Sequence, residues 1–411
     1  MRSTYLNGLV RFIVGLVVCG AGLIAVAPPQ DATMWRASII ITEWGHWFGL
    51  LGLLFLLRWR RSWLHATAAT LTTVGVLLLW TPLARASMMA VTLPAALQVA
   101  FGEPIAGSLT DEPLRPAPLV LADLFFGVSP GDVLVDEHVY DVVDGENLTL
   151  DLYRPKYTVD LRPVVVVVHG GGWTEGDKRK FSALSRRLAS GGYVVANVSY
   201  RLAPRWTFPT PQEDLLSAIR YIKDLETTHG VDPTRFAFLG RSVGGQIALL
   251  AAYTSTDPAI RAVVSMYGPT ALRWGHANPA RAGVIDSSGV LEAYLGGPPA
   301  THGEHYDAAE PGQFVSHLTP PTLFVHGLRD EHVSPFHAEF VSSRLIQAGV
   351  PNLVVRMPWA THGCDYVFSG PCGQISTYAV EQFLGAALRN APTIVADPLE
   401  AARAELAPSP R

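Results

Sequence analysis

Alternating strand and helix patterns over the C-terminal two-thirds of the chain predict an α/β fold. Its central sheet is expected to be mostly parallel, with helices on both faces. Three observations carry this. Val164–Val168 is an unbroken run of valines, as expected for a parallel strand covered on both sides. Further strand patterns at Val139–Val143, Leu148–Tyr153, Tyr193–Asn197, Ala262–Met266, Thr322–Val325 and Leu353–Arg356 are interleaved with helical ones at Phe181–Ala189, Glu213–Thr227 and Ser376–Leu388. Finally, Gly240-Arg241-Ser242-Val243-Gly244 lies between an apolar strand, Arg235–Leu239, and a helical segment, Gln246–Tyr253.

With 411 residues, the chain can hold one such domain of about 270 residues and a separate N-terminal part. Three apolar stretches begin it: Leu9–Ala27, Ser38–Leu57 and Ala66–Leu83. Each reaches or nears the length needed to cross about 30 Å of hydrocarbon as a helix. Ala25-Val26-Ala27 has the look of a signal-peptide cleavage site, but Pro28 follows directly and two more spans come after, so the first span reads as retained. Arg58, Arg60 and Arg61 follow the second span and Arg2 and Arg11 open the first, whereas the first connection holds Asp31 and only Arg36. The positive-inside rule then predicts a multi-pass cell-membrane protein with a cytoplasmic N-terminus and an extracytoplasmic catalytic domain, although Arg85 runs against the pattern. Glu43 and His46, three apart inside the second span, are expected to make an interhelical hydrogen bond. The expected organisation is a membrane domain with three transmembrane helices (1–86), an amphipathic segment at Met88–Phe101 and a linker (87–118), a catalytic domain (119–390) and a flexible tail (391–411).

A net charge of −4 and the lack of a basic patch argue against nucleic-acid binding. Three cysteines are too few for a disulfide scaffold, but Cys364 and Cys372 flank one short loop and can pair outside the cytoplasm. His302 and His305 have ligand-like spacing, yet no His-Glu-x-x-His helix or nearby cysteine pair accompanies them, and no metal is expected.

Gly-x-Ser-x-Gly between strand and helix is a nucleophile elbow, a turn so tight that the positions two before and two after the serine must be small. Such a serine needs a base, and the base needs an acid to hold its tautomer. Asp330 follows the Thr322–Val325 strand and His362 follows Leu353–Arg356, the same rim of the sheet as Ser242. His326, His332 and His337 compete for the base role and Glu331 for the acid. In His169-Gly170-Gly171-Gly172-Trp173, bare backbone N–H groups can reach a reacting carbonyl oxygen. Gly170 and Gly171, with Val243 after the serine, are expected to form an oxyanion hole. The usual nucleotide-loop spacings are absent there.

The His-Gly-Gly-Gly-Trp loop, Ser199-Tyr200-Arg201-Leu202-Ala203-Pro204 and Gly240-Arg241-Ser242-Val243-Gly244-Gly245 together resemble the α/β-hydrolase fold from about Val133 to Leu388. More narrowly, they resemble hormone-sensitive-lipase-type carboxylesterases and the bifunctional xylan/feruloyl esterase group. Arg241, where the first branch usually has aspartate, favours the second; the N-terminal spans are also similar to those of isoprenylcysteine methylesterases. The resemblance implies a Ser242, Asp330 and His362 triad, the oxyanion hole just named and no cofactor. The expected function is a membrane-anchored serine hydrolase cleaving a small-molecule or lipid-like carboxylic ester through an acyl-enzyme. An amidase or peptidase on the same residues, or a catalytically silent binding domain, are the alternatives. Trp173, Trp206, Trp274 and Trp359 are candidates to line an apolar acyl or aryl pocket, although buried tryptophans more often serve as packing.

Overall fold

The structure is a computed structural model describing residues 2–56, 62–102, 115–156 and 160–389. Arg58, Arg60 and Arg61, residues 103–114 of the linker and the 391–411 tail lie outside the described residues. The valine run 164–168 sits inside an eight-stranded sheet formed by β1 (Val133–Val143), β2 (Glu146–Pro155), β3 (Arg162–Val168), β4 (Val194–Val198), β5 (Val231–Arg241), β6 (Ile260–Met266), β7 (Thr322–Gly327) and β8 (Asn352–Met357). The spatial order is β1-β2-β4-β3-β5-β6-β7-β8. From β4 through β8 every pairing is parallel, while β1 and β2 form an antiparallel edge. Val164, Val166 and Val168 face one apolar cluster and Val165 and Val167 the other, which is why no polar residue interrupts the run.

The N-terminal helices α1 (Arg2–Val26), α2 (Ala32–Leu54) and α3 (Trp63–Phe101) are each long and apolar enough to cross a membrane. Small residues let their backbones meet. A Cβ on Gly15 would lie 2.8 Å from the Ala68 carbonyl oxygen, one on Gly45 2.4 Å from that of Leu79, and one on Gly75 2.6 Å from that of Val18. These pairings run α1 parallel to α3, with α2 reversing between them. At 39 residues α3 is roughly 58 Å long, nearly twice the hydrocarbon thickness of about 30 Å. Met88–Phe101 is therefore not a separate segment: α3 continues to Gly102, whose φ of +79° ends it. Pro82 and Pro94 lie within the helix without stopping it, and its upper half buries Ala86, Leu93 and Leu97 against the globular core.

Glu43 and His46 also depart from expectation. Glu43 Oε2 accepts the Cys372 backbone N–H at 2.8 Å and His46 Nε2 reaches the Leu124 carbonyl at 3.1 Å, so both bond helices of the globular domain rather than another of the three N-terminal helices. The reason is that α2 leans along that domain, which offers backbone groups at this height.

The remaining helices are α4 (Leu121–Phe126), α5 (Ser182–Ser190), α6 (Thr210–Lys223), α7 (Glu226–His229), α8 (Val243–Thr254), α9 (Leu272–Ala277), α10 (Ser287–Leu295), α11 (Pro299–Ala309), α12 (Phe336–Gln347) and α13 (Pro371–Arg389). α6, α8 and α12 cover one face of the sheet; α5 and α13, with the end of α3, cover the other. The Gly-, Pro- and His-rich insertion Gly268–Pro320 between β6 and β7 holds α9–α11: Pro299 opens α11 and Gly296 in the left-handed conformation closes α10, while Gly275, Gly289 and Gly303 lie inside the helices. Substituting Gly75→Val forces α1 off α3, and thermal unfolding of the full chain in detergent is expected to show a loss of about 1–3 kcal/mol.

Candidate active site

At the carboxyl end of β5 the chain turns into α8 through Ser242, whose φ of 52° and ψ of −128° are strained for a residue with a side chain. The flanking glycines are obligatory here. A Cβ on Gly240 would fall 2.0 Å from the Gly244 carbonyl oxygen, and one on Gly244 2.3 Å from that of Val168. The strain is held by backbone bonds from Ser242 N–H to the Met266 carbonyl (2.9 Å) and from Gly245 N–H to the Ser242 carbonyl (2.8 Å).

Asp330 follows β7 and His362 follows β8, and the structure brings both to Ser242. His362 Nε2 lies 3.0 Å from Ser242 Oγ, and Nδ1 lies 2.7 Å from Asp330 Oδ2. With Nδ1–H donating to the carboxylate, Nε2 is left to accept the serine proton. Asp330 is buried, and burial alone raises a carboxyl pKa. The charge of His362 and hydrogen bonds from His326 and His362 outweigh that and hold Asp330 well below the ordinary carboxylate range. Its other oxygen accepts the N–H groups of His332 (2.8 Å) and Val333 (2.9 Å).

The competing histidines are otherwise engaged. His326 Nε2 bonds the Val333 carbonyl at 2.9 Å, and His337 Nδ1 accepts the N–H groups of Thr270 and Ala271. His332 stacks on the His362 ring, 4.9 Å between centroids at 12°. Burial, then repulsion from His362, lowers its pKa to about 4, so it is neutral near pH 7. Glu331 pairs with Arg281 at 3.3 Å. His169 bonds the Gly170 carbonyl and stacks on Tyr200, which braces the glycine loop. Gly170 packs against Ser242, where an added Cβ would come within 2.9 Å of the serine Cβ. Gly171, at φ +127°, has no room for a side chain beside the Glu175 carbonyl. Val243 lies on the wall of a cavity of about 400 Å³ that also exposes Ser242 and His362. Leu272, Ile285, Val290 and Leu291 from the 268–320 segment give that cavity an apolar side. Of the four candidate tryptophans, Trp173 alone borders this cavity, stacked on Tyr294. Trp274 packs on Phe336, Trp206 lies under Arg205, and Trp359 is buried in the core.

One network was missed in the sequence. Arg241 Nε donates to Asp365 Oδ2 (2.7 Å) and Tyr267 Oη donates to Asp365 Oδ1 (2.6 Å), with all three groups buried. Tyr267 also meets the His362 ring edge-on at 4.7 Å. A charged Arg241 in an otherwise apolar elbow was the available signal, because a buried guanidinium requires a buried anion. A disulfide joins Cys364 to Cys372 just beyond the histidine. Among the described residues, one group has metal-ligating potential: Asp136, His138 and His229, near edge strand β1. There Arg154 already pairs with the Asp136 carboxylate.

Residues 150–345 match the BD-FAE family model. The probable carboxylic ester hydrolase LipM of Mycobacterium tuberculosis is 29% identical over 254 residues, covering 57% of each chain. Esterase LipC of the same organism is 29% identical over 260 residues, 59% of this chain and 62% of its own. The bacterial heroin esterase superposes with a TM-score of 0.55 at 24% identity, covering 64% of this chain and 87% of its own. Carboxyl esterase 2 of Tuber melanosporum does so at 0.53 and 25%, covering 64% and 88%. The chain has an α/β-hydrolase fold, and it spans about three-fifths of the length of these curated relatives. The family match ends at residue 345, so His362 and the disulfide lie beyond it.

Removing one partner of a buried ion pair strands the other, so Arg241→Met is expected to cost about 3–5 kcal/mol in denaturant unfolding. Asp330→Asn should leave the fold intact and lower kcat by about 10⁴-fold, because the wrong imidazole tautomer would face the serine.

Proposed function

We propose that the protein is a membrane-anchored carboxylic ester hydrolase working through a serine acyl-enzyme. The observation that carries this reading is the hydrogen-bonded line from Ser242 Oγ through His362 to Asp330, with the serine on a strained strand-to-helix turn. The names of the relatives, carboxylic ester hydrolase and esterase, support the same reaction class. In the proposed cycle His362 Nε2 takes the Ser242 proton as Oγ attacks the ester carbonyl. The carbonyl oxygen becomes an oxyanion held by the backbone N–H groups of Gly170, Gly171 and Val243, each worth about 3 kcal/mol. The imidazolium, steadied by Asp330, returns its proton to the departing alcohol as the carbon–oxygen bond breaks. Water, deprotonated by the same imidazole, then attacks the acyl-enzyme, and its proton returns to Ser242 as the acid leaves. The apolar cavity wall suits a hydrocarbon acyl or alkyl group.

A fluorophosphonate probe should label the full chain in detergent, and Ser242→Ala should abolish labelling and lower p-nitrophenyl ester hydrolysis by about 10⁴-fold or more. Folded wild-type protein that neither labels nor hydrolyses any ester in a chain-length series would refute the reading.

The arginine distribution and the disulfide support an orientation with the N-terminus in the cytoplasm and the hydrolase domain outside. An alkaline phosphatase fused after Arg411 is expected to be active in bacterial cells. A silent fusion, with a cytoplasm-active reporter working at the same site, reverses the orientation.

A further inference from the structure

The membrane helices do more than tether the domain, because they bond the loop that carries the base. Arg85 of α3 donates to the Pro358 carbonyl at 3.0 Å, and Glu43 of α2 accepts the Cys372 N–H at 2.8 Å, so the two contacts bracket His362. Between them, Trp35 of α2 donates its Nε1–H to the backbone carbonyl of His362 itself at 3.0 Å. The Trp35 ring lies 4.3 Å from the ring of His332, which in turn stacks on the His362 imidazole. On the acid's side, Arg329, adjacent to Asp330, donates to the carbonyls of Ile24, Ala25 and Ala27 where α1 ends. The loops bearing the acid and the base are both fastened to the N-terminal helices.

We propose that Trp35 is a positioning residue for the reaction, holding the main chain and the ring plane of His362 so that Nε2 stays in line with Ser242. The proposal rests on the reading of Ser242 as nucleophile and His362 as base. The physical case is one of tolerance. His362 stands on a connection between β8 and a short helical turn, and such segments are the more mobile parts of a fold. A base displaced by about 1 Å can lose some 10²-fold in rate. The indole suits the task because it is rigid, carries one donor at its far end and offers a broad face to His332. In this fold the hydrolase site is completed by a side chain from a membrane-spanning helix.

The test uses the full chain in lipid nanodiscs, comparing wild type with Trp35→Phe, Trp35→Ala and His332→Phe. Trp35→Phe keeps a ring on His332 and deletes the N–H. Its kcat on a p-nitrophenyl ester and its fluorophosphonate labelling rate are expected to fall about 10-fold with KM within 2-fold; Trp35→Ala should lose about 100-fold. His332→Phe, which preserves the stack, should retain more activity than Trp35→Ala. Rates are taken per active site by burst titration, so that loss of folded protein does not count. Wild-type labelling rate and kcat in Trp35→Phe, with only the melting temperature lowered, would reduce Trp35 to a packing contact and overturn the proposal. Should Trp35→Phe fail to accumulate, Arg85→Met, a change at an exposed side chain, decides instead: an unchanged labelling rate overturns it and a several-fold fall supports it. Absence of labelling in folded wild type would instead defeat the underlying reading of Ser242.

Discussion

The site depends on how closely the backbone at the elbow approaches the neighbouring strand. Gly244 at the start of α8 lies against the carbonyl oxygens of Val168 and His169, at distances where a methyl group has no place. That contact draws the end of β3 and the start of α8 together. It sets the glycine loop 170–172 beside Ser242 and forces the serine into its uncommon dihedrals. The surroundings repay the strain, since Ser242 is tied by backbone bonds to β6 and to its own helix. A turn this constrained has little freedom to reorganise.

Electrostatics then fixes the two loops that bring Asp330 and His362 to Ser242. Asp330 is a buried carboxylate held ionised by two histidines and two backbone amides, so it orients His362 without competing for its proton. Beneath it, Arg241, Asp365 and Tyr267 join the elbow to the turn after His362. A buried ion pair of this kind is a weak source of net stability but costs much to break. Here it links the end of β5, next to Ser242, to the loop carrying His362, and the disulfide closes that loop a few residues on.

The N-terminal helices are continuous with this construction. α3 passes into the apolar layer beneath the sheet, with Phe101 against Phe383, and α2 lies along the segment 358–372 that carries His362. Polar groups inside an apolar helix need partners, and Glu43 and His46 find theirs on the globular domain. The three helices and the hydrolase fold therefore bury surface against one another rather than meeting through a linker alone.

Local chemistry made much of this legible. A valine run reads as a doubly covered strand, a Gly-x-Ser-x-Gly between strand and helix as an elbow, and acid and histidine at successive strand ends as their neighbours, because each follows from backbone sterics or chain order. What escaped depends on contacts between residues far apart in the chain. The helices within 268–320 were hidden because their Pro and Gly residues mark helix ends as readily as loops. The unbroken course of α3 was hidden because its prolines are tolerated where the helix packs on the core. The partnership of Arg241 with Asp365, and of Trp35 with a histidine 327 positions later, could only be decided by tertiary packing. Hydrogen-bond reach is about 3 Å in space and carries no memory of sequence separation.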